Sequence, residues 1–286
     1  MRKLLAILII LVTLQSGRVL AQSFYTGEEF GFALGGSQYF GDLNDNYGFK
    51  YVRPCGGFFA RLHMNPYISV RFSANYAKVG YDDKFSSNPY NKARNLNFRS
   101  DIIEGCFQAE FNFFRFSTGE LHSRFTPYIT LGVGGFYYNP YSFIDGRRYN
   151  LKQVGTEGQY VGYAGRQYSN FSVCFPIGMG VKYWVLPGVN IGCEIAHRLT
   201  MTDYLDDVST SYIDPSKFES DPSNPTPAFI LHDRSKEISN TALGRDGKQR
   251  GNSATKDQYL MMVFNLSFQF KTYKCPNYLK GGYYMY

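Results

Sequence analysis

Near its end the chain carries the stretch Gln258-Tyr-Leu-Met-Met-Val-Phe-Asn-Leu-Ser-Phe-Gln-Phe-Lys271, in which two kinds of side chain alternate. One parity, from Leu260 to Phe270, is wholly apolar, and the other becomes polar after Val263. Alternate side chains of a β-strand point to opposite faces. A tilted strand of about ten residues crosses a bilayer. The stretch is therefore predicted to be the closing strand of an all-β, transmembrane antiparallel β-barrel, with its apolar parity facing lipid.

Seven more segments show the same alternation, which gives about eight strands, an even number as in bacterial barrels. The clearest of them places Ile68 and Val70 on one parity and Ser69 and Arg71 on the other. The predicted strands cover residues 29–39, 53–64, 67–78, 102–114, 125–138, 168–184, 189–202 and 258–271.

Short and long connections alternate along the chain. Tight turns are predicted at Asn65-Pro66 and at Leu186-Pro187-Gly188, whereas residues 41–52, 79–99, 139–167 and 203–257 form long loops. Outer-membrane barrels place short turns in the periplasm and long loops outside. Both ends of the mature chain are thus predicted to be periplasmic. The alternative, a soluble secreted β-sandwich, gives no reason for this alternation.

The first residues have the features of a cleaved secretory signal peptide. A basic start is followed by an apolar core from Leu4 to Leu14 and by a cut before Gln22. An uncleaved anchor helix is the alternative. The predicted organisation is a signal peptide (1–21), an outer-membrane barrel (22–272) and a periplasmic C-terminal tail (273–286).

The composition agrees with a membrane barrel. The chain has 25 Tyr, 25 Phe and 29 Gly, with a mean hydropathy of only −0.31. Alternating strands that end in aromatic girdles produce this combination. The net charge is +7, and three of the basic residues leave with the signal peptide. The remaining +4 is too weak and too scattered to predict nucleic-acid binding.

The inward parity of the predicted strands carries charges of both signs. An eight-stranded barrel has an interior that side chains can fill, and buried charges must pair. A structural polar core is favoured, and a path for protons or solutes is the alternative. The charged residues predicted to form this network are Arg71, Glu104, Glu110, Lys182, Glu194 and Arg198.

The sequence offers little for catalysis. His232 lies near Ser235, but this pair alone does not make a hydrolase, which needs nucleophile, base and orienting group together. We therefore expect a protein that is not an enzyme, with no cofactor and no small-molecule substrate.

An acidic motif follows the seventh predicted strand. Asp203, Asp206 and Asp207 are predicted to fix the base of the long last loop, with Arg94 and Arg99 as ion-pair partners. A Ca²⁺ site is the alternative, although the motif lacks EF-hand spacing.

Several strings of the chain are informative in combination: residues 34–43 (LGGSQYFGDL), 94–100 (RNLNFRS), 110–114 (EFNFF), 126–128 (TPY), 155–159 (GTEGQ), 176–183 (PIGMGVKY) and 202–212 (TDYLDDVSTSY). Together they resemble one family, the PorG-type outer-membrane barrel of the Bacteroidota type IX protein secretion system. The resemblance implies a structural role: such barrels associate with a periplasmic ring, formed by a lipoprotein and its partner subunit, while a larger protein forms the conduit. A solute channel or a general porin-like protein is the alternative function.

The tail continues past the last predicted strand into an oxidising compartment. The chain has five cysteines, so at least one has no intramolecular partner. The hypothesis is that the tail docks on the ring lipoprotein, with Cys275 in an intermolecular disulfide and Tyr278, Tyr283 and Tyr284 as apolar anchors. The alternative is an inert free thiol.

Overall fold

The computed structural model describes residues 27–118, 120–218, 221, 223–239 and 241–270. The predicted signal peptide and the tail with Cys275, Tyr278, Tyr283 and Tyr284 lie outside the described residues. Nine strands follow one another in the described part: β1 (Glu28–Phe40), β2 (Arg53–His63), β3 (Ile68–Asp82), β4 (Asn97–Asn112), β5 (Phe125–Ile144), β6 (Arg147–Asn150), β7 (Phe171–Leu186), β8 (Val189–Thr200) and β9 (Gln258–Phe270).

Eight of these strands close into an antiparallel barrel. Each of these eight strands pairs with the next one along the chain, and β9 pairs with β1 over its whole length. The short β6 is not part of the barrel and pairs with β5. The register of closure runs from Glu28 opposite Phe270 to Phe40 opposite Gln258. Closure leaves the barrel with no unpaired sheet edge, which is the condition for a sheet to cross a bilayer. The prediction of an eight-stranded barrel is confirmed.

The barrel is inverted relative to a soluble protein. Apolar side chains of alternate residues point outward and are exposed, as in Phe264 (73 % exposed) and Leu34 (70 %). The intervening side chains point inward, and many of them are polar or charged yet buried. Lipid tails cover such an apolar exterior, so the fold is that of an outer-membrane β-barrel. No helix of the described residues is long and apolar enough to cross a membrane.

The two ends of the barrel differ. At one end, called the turn end, short connections join the strands, and the Asn65 side chain accepts hydrogen bonds from the Tyr67 and Ile68 amides. Gly188 closes another short turn with a φ of 84°, a conformation that side chains disfavour. At the other end, called the loop end, the four long connections pack together into a cap.

Three strands continue further into the cap than their alternation predicted. β3 and β4 pair as far as Asp82 with Asn97, and β5 extends to Ile144 and turns back as β6. The turn is Asp145-Gly146, and both residues have positive φ. Asp-Gly is a strong hairpin signal, so the sequence already carried evidence for this extra strand. Predicted loops 79–99 and 139–167 thus contain regular structure.

The cap also contains short helices with ordinary caps. The α-helices are α1 (Pro89–Arg94), α2 (Leu151–Val154) and α3 (Pro227–His232). Asn88 and Thr226 cap α1 and α3, accepting bonds from the Tyr90 and Phe229 amides. Single 3₁₀ turns occur at Asp83–Phe85, Leu121–Ser123, Ala164–Arg166, Pro215–Lys217 and Ser235–Glu237.

Candidate functional site

The lumen near the turn end is filled by a group of linked ion pairs. The carboxylate of Glu110 on β4 forms ion pairs with Lys182 Nζ at 2.5 Å and with Arg61 Nε at 2.8 Å. Arg61 also pairs with Glu29, which in addition lies 2.6 Å from His63 Nε2. All five side chains are buried. Because each charge has an opposite neighbour, the group avoids the large cost of an isolated buried charge.

The network continues toward the middle of the barrel. Arg71 donates two hydrogen bonds to Glu194, at 2.6 Å and 2.8 Å, and lies 3.2 Å from Glu110. Tyr128 donates to the same Glu194 carboxylate at 2.6 Å, and Gln108 accepts from Arg71 at 3.0 Å. Paired, planar contacts of this kind are the strongest hydrogen bonds available to arginine.

Glu104 forms a third group, closer to the loop end. It accepts bonds from Arg198 Nε at 3.3 Å, Asn75 at 2.8 Å and the Tyr259 hydroxyl at 2.5 Å. The three groups together are called the lumen network, and it balances four carboxylates against four cations. Its charged members are Glu29, Glu104, Glu110, Glu194, Arg61, Arg71, Lys182 and Arg198.

The lumen network leaves little free space. A cavity of about 20 Å³ lies among Arg71, Asn75, Gln108, Glu194 and Arg198. This volume holds about one water molecule. Side chains therefore occupy the interior at this level, and the arrangement is a packed polar core.

The structure brings together the six charged residues that strand parity predicted for the interior. The prediction missed Glu29, Arg61 and His63, which lie on the same inward parity. Arg61 and His63 lie on a parity that also contains Phe59, and Glu29 stands at the start of its strand, so the charge pattern was less visible there. Their role becomes evident only when β1 and β2 are placed beside β4.

The acidic motif lies at the base of the cap, directly after β8. The Tyr39 hydroxyl lies 2.5 Å from Asp206 Oδ2 and 2.9 Å from Asp257 Oδ1. One hydroxyl has a single proton to donate, so a carboxyl proton must supply the second bond. Burial, together with the neighbouring carboxylates of Asp257 and Asp42, raises the pKa of Asp206 well above the ordinary range. Burial and the carboxylates of Asp42 and Asp203 raise the pKa of Asp257 in the same way. The Tyr39 hydroxyl thus links two buried acids, one after β8 and one directly before β9, and their environment favours the protonated form.

The neighbouring acids each bind a different part of the cap. The Asp203 carboxylate accepts from the Ser209 hydroxyl at 2.5 Å. Asp207 accepts from the Thr156 hydroxyl and, at 2.7 Å, from the Tyr168 hydroxyl. Burial raises the pKa of Asp207 to about 6 and, together with a nearby carboxylate, that of Asp203 to about 6. The motif therefore joins the loop after β8 to the loop between β6 and β7.

Ion pairs hold the cap in other places than predicted. Arg94 binds Asp83 through two nitrogens, at 2.7 Å and 2.8 Å, and Arg99 lies over the ring of Phe143. The expectation that these two arginines pair with the acidic motif was wrong. β3 and β4 extend into the cap as far as Asp82 and Asn97, so Arg94 lies in a helix beside Asp83, whereas Arg99 points outward from β4.

Arg250 and Glu157 are the cap residues that the sequence did not reveal. Arg250 donates to Glu157 at 3.1 Å and to the Asp207 carbonyl at 2.7 Å. Glu157 also accepts from the amides of Ser209 and Thr210. These residues are far apart in sequence and follow no periodic pattern, so only the folded cap brings them together.

His232 and Ser235 do not form a nucleophile–base pair. The two ring nitrogens of His232 face the carbonyl oxygens of Thr156 and Ile213, at 2.7 Å and 3.1 Å. Ser235 instead donates to Asp233 at 2.6 Å. Burial and Arg250 lower the pKa of His232 to about 4. His232 is thus a buried side chain that supports the cap through contacts at both ring nitrogens.

An open cleft of about 470 Å³ lies in the cap beside α1. Asp42, Asn91, Gln249 and Asn252 are among its lining residues. Pockets of this size bind small molecules in many proteins. Here Asp42 already accepts from the Asn252 amide at 2.9 Å, so part of the polar lining is used within the cap.

Comparison with protein families gives one match. The model of a domain of unknown function, DUF6089, matches residues 2–220, which is most of the chain. The chain belongs to the DUF6089 family. The matched region of this DUF6089 protein includes β1 to β8 and the acidic motif. No curated protein matches the sequence.

Several solved structures are similar to this chain, and they include bacterial outer-membrane proteins. Neisserial surface protein A has 10 % identity and a TM-score of 0.42, with 85 % of this chain and 97 % of that chain covered. Ail of Yersinia pestis has 11 % identity and a TM-score of 0.40, with 86 % and 99 % covered. OprG of Pseudomonas aeruginosa has 11 % identity and a TM-score of 0.38, with 87 % and 98 % covered.

Proposed function

We propose that this protein is a non-enzymatic outer-membrane component of the type IX protein secretion machinery, which anchors or assembles the periplasmic ring complex. Its partners are outer-membrane lipid, the ring lipoprotein and the ring subunit, with no nucleic acid or small-molecule substrate. The secretion system is named from the resemblance of strings such as Thr202–Tyr212 to the PorG-type barrels.

The filled lumen is the observation that carries the structural role. The lumen network and its cavity of about 20 Å³ leave no room for a polypeptide at the level of Arg71 and Glu194. Since a secreted protein cannot cross this barrel, a secretion role has to be one of anchoring or assembly. The same packing disfavours the alternative role as a solute channel, because a conducting path would have to break buried ion pairs.

The orientation follows from the same proposal. In outer-membrane barrels the short turns face the periplasm, so the turn end and both chain termini would face the ring. The cap would then lie on the cell surface. Its buried acids and ion pairs join the loops into a cover over the barrel.

Deletion of the gene is expected to abolish or strongly reduce the export of the secreted protein set into the culture medium. The measurement is the protein content of cell-free medium, and the control is complementation with the intact chain. Normal export from the deletion strain, together with single-channel conductance from the pure protein, would contradict the proposal and favour the channel.

The tail supplies a separate prediction. If Cys275 forms a disulfide with the ring lipoprotein, non-reducing gels of outer membranes will show a high-mass band that collapses with reductant. The band is expected to disappear in Cys275→Ser and to remain in Cys193→Ser, a thiol on the barrel wall. If only monomer appears before reduction and removal of residues 275–286 leaves secretion intact, the docking hypothesis is wrong.

A further inference from the structure

Two thiols meet inside the barrel above a single glycine. Cys106 on β4 lies opposite Gly134 on β5, and Gly134 lies opposite Cys174 on β7. A Cβ at position 134 would overlap Cys106 Sγ and would lie 3.2 Å from Cys174 Sγ. The missing side chain of Gly134 therefore creates the space in which the two sulfur atoms converge. Both cysteines are buried.

These thiols are not placed to form a disulfide. The strands that carry them are separated by β5, so their Cα atoms are two strand spacings, or roughly 9.5 Å, apart. A disulfide requires Cα atoms within about 7 Å. The barrel wall prevents such an approach, because each strand is hydrogen-bonded to both of its neighbours. The pair is thus held as two thiols even in an oxidising compartment.

A carboxylate completes the cluster. Glu104 Oε2 lies 3.8 Å from Cys174 Sγ, and one ligand atom from each of Glu104, Cys106 and Cys174 lies within 4.8 Å of the others. Asn75 and Tyr259 donate hydrogen bonds that fix the orientation of the Glu104 carboxylate. Metal-binding carboxylates usually have outer partners of this kind.

We propose that Glu104, Cys106 and Cys174 bind a single soft or borderline divalent cation, such as Zn²⁺, inside the barrel. Thiolate sulfur and carboxylate oxygen are both ordinary Zn²⁺ ligands, and two thiolates select against Ca²⁺ and Mg²⁺. With bonds of about 2.3 Å to sulfur, tetrahedral ligand atoms lie roughly 3.7 Å apart. The cluster needs only a small contraction of its side chains to reach that spacing.

The charge balance of the lumen agrees with this assignment. Binding exchanges the two thiol protons for one divalent cation, so two protons leave and the total charge of the interior stays the same. Glu104 keeps its contact with Arg198, and the lumen network remains balanced. With both thiols deprotonated, a monovalent ion would lower the total charge of the interior by one, and a trivalent ion would raise it by one.

The cluster includes Glu104, the part of the lumen network closest to the cap, and is buried, so the cation is expected to enter while the barrel closes. The test is therefore refolding of the full chain into detergent micelles with Cd²⁺, whose thiolate complexes absorb in the near ultraviolet. The expected result is one Cd²⁺ per chain and a sulfur-to-cadmium absorption band. Zn²⁺ should compete for the same site and remove the band.

Matched variants distinguish the cluster from general thiol binding. Cys106→Ser and Cys174→Ser are each expected to weaken the band and to weaken Cd²⁺ binding by more than about tenfold, because loss of even an outer partner of a metal site costs about that much. Cys55→Ser is the control, because Cys55 is another buried thiol outside the cluster. A band of wild-type intensity in Cys106→Ser and Cys174→Ser, or its loss in Cys55→Ser, would overturn the proposal.

A second measurement keeps the test valid if a variant does not fold. The wild-type chain is refolded with Zn²⁺, freed of excess metal by gel filtration and analysed for zinc. Its folded state is verified by resistance to SDS at room temperature and by a mobility shift on boiling. About one zinc per folded chain supports the site, and a content near zero refutes it whatever the variants do.

Discussion

Replacing Glu110 with alanine is expected to destabilise the folded barrel by about 3–5 kcal/mol, the usual cost of removing one partner from a buried ion pair. Glu110 is in contact with Arg61, Arg71 and Lys182, and all four side chains are buried. The substitution leaves three cations that share the remaining carboxylates of the lumen network. The measurement is the free energy of unfolding in urea, with the protein in lipid vesicles.

The controls separate charge from packing. Glu120 lies in a short turn and pairs with the exposed Arg115. The substitution Glu120→Gln is therefore expected to change the free energy of unfolding by less than about 1 kcal/mol. In a double-mutant cycle, Glu110→Gln and Lys182→Met are expected to couple by about 0.5–3 kcal/mol. Equal effects of Glu110→Ala and Glu120→Gln would show that the lumen network does not stabilise the barrel.

Raising the pH from 5 to 8 is expected to loosen the cap while the barrel stays intact. Burial raises the pKa of Asp42 to about 7, and the pKa values of Asp203 and Asp207 to about 6. An unfolded Asp titrates near 4. Between these values the folded cap binds more protons than the unfolded loop, so its stability falls as the pH rises through the folded pKa.

Two other features set the size of this effect. The pKa values of Asp206 and Asp257 are raised well above the ordinary range, so these acids extend the pH dependence to higher pH. His232 acts in the opposite direction below about pH 6.5, because its folded pKa of about 4 makes the unfolded state bind the extra proton. Each net proton changes stability by about 1.4 kcal/mol per pH unit, or tenfold in the opening equilibrium.

Amide hydrogen exchange of residues 203–213, corrected for the intrinsic effect of pH, measures the opening. Protection is expected to fall at least about tenfold from pH 5 to pH 8. Asp206→Asn imitates the protonated acid and should reduce the slope, whereas Asp214→Asn should leave it unchanged, because the pKa of Asp214 is lowered rather than raised. Protection that is constant with pH, or equal slopes in both variants, would show that the acids near Tyr39 remain charged.

The cap shows why local patterns were insufficient for part of the site. The acidic motif was identified from its composition, but its partners were assigned to Arg94 and Arg99 by position alone. In the fold, the Tyr39 hydroxyl contacts both Asp206 and Asp257, which lie 167 and 218 residues away in the chain. No periodicity links such residues, because the loops that carry them have no repeating geometry.

The sequence by itself determined the barrel. Alternation of apolar and polar residues decides which side chains face lipid, since a strand has a period of two, and it thereby placed Arg71, Glu104, Glu110 and Glu194 in the interior. Only the tertiary structure decided which charges pair, that Cys106 and Cys174 meet above Gly134, and how the cap closes. The physical reason is that the choice of ion-pair partners depends on the register between strands and on contacts between loops. Whether a side chain faces lipid or the interior depends only on the residues of its own strand.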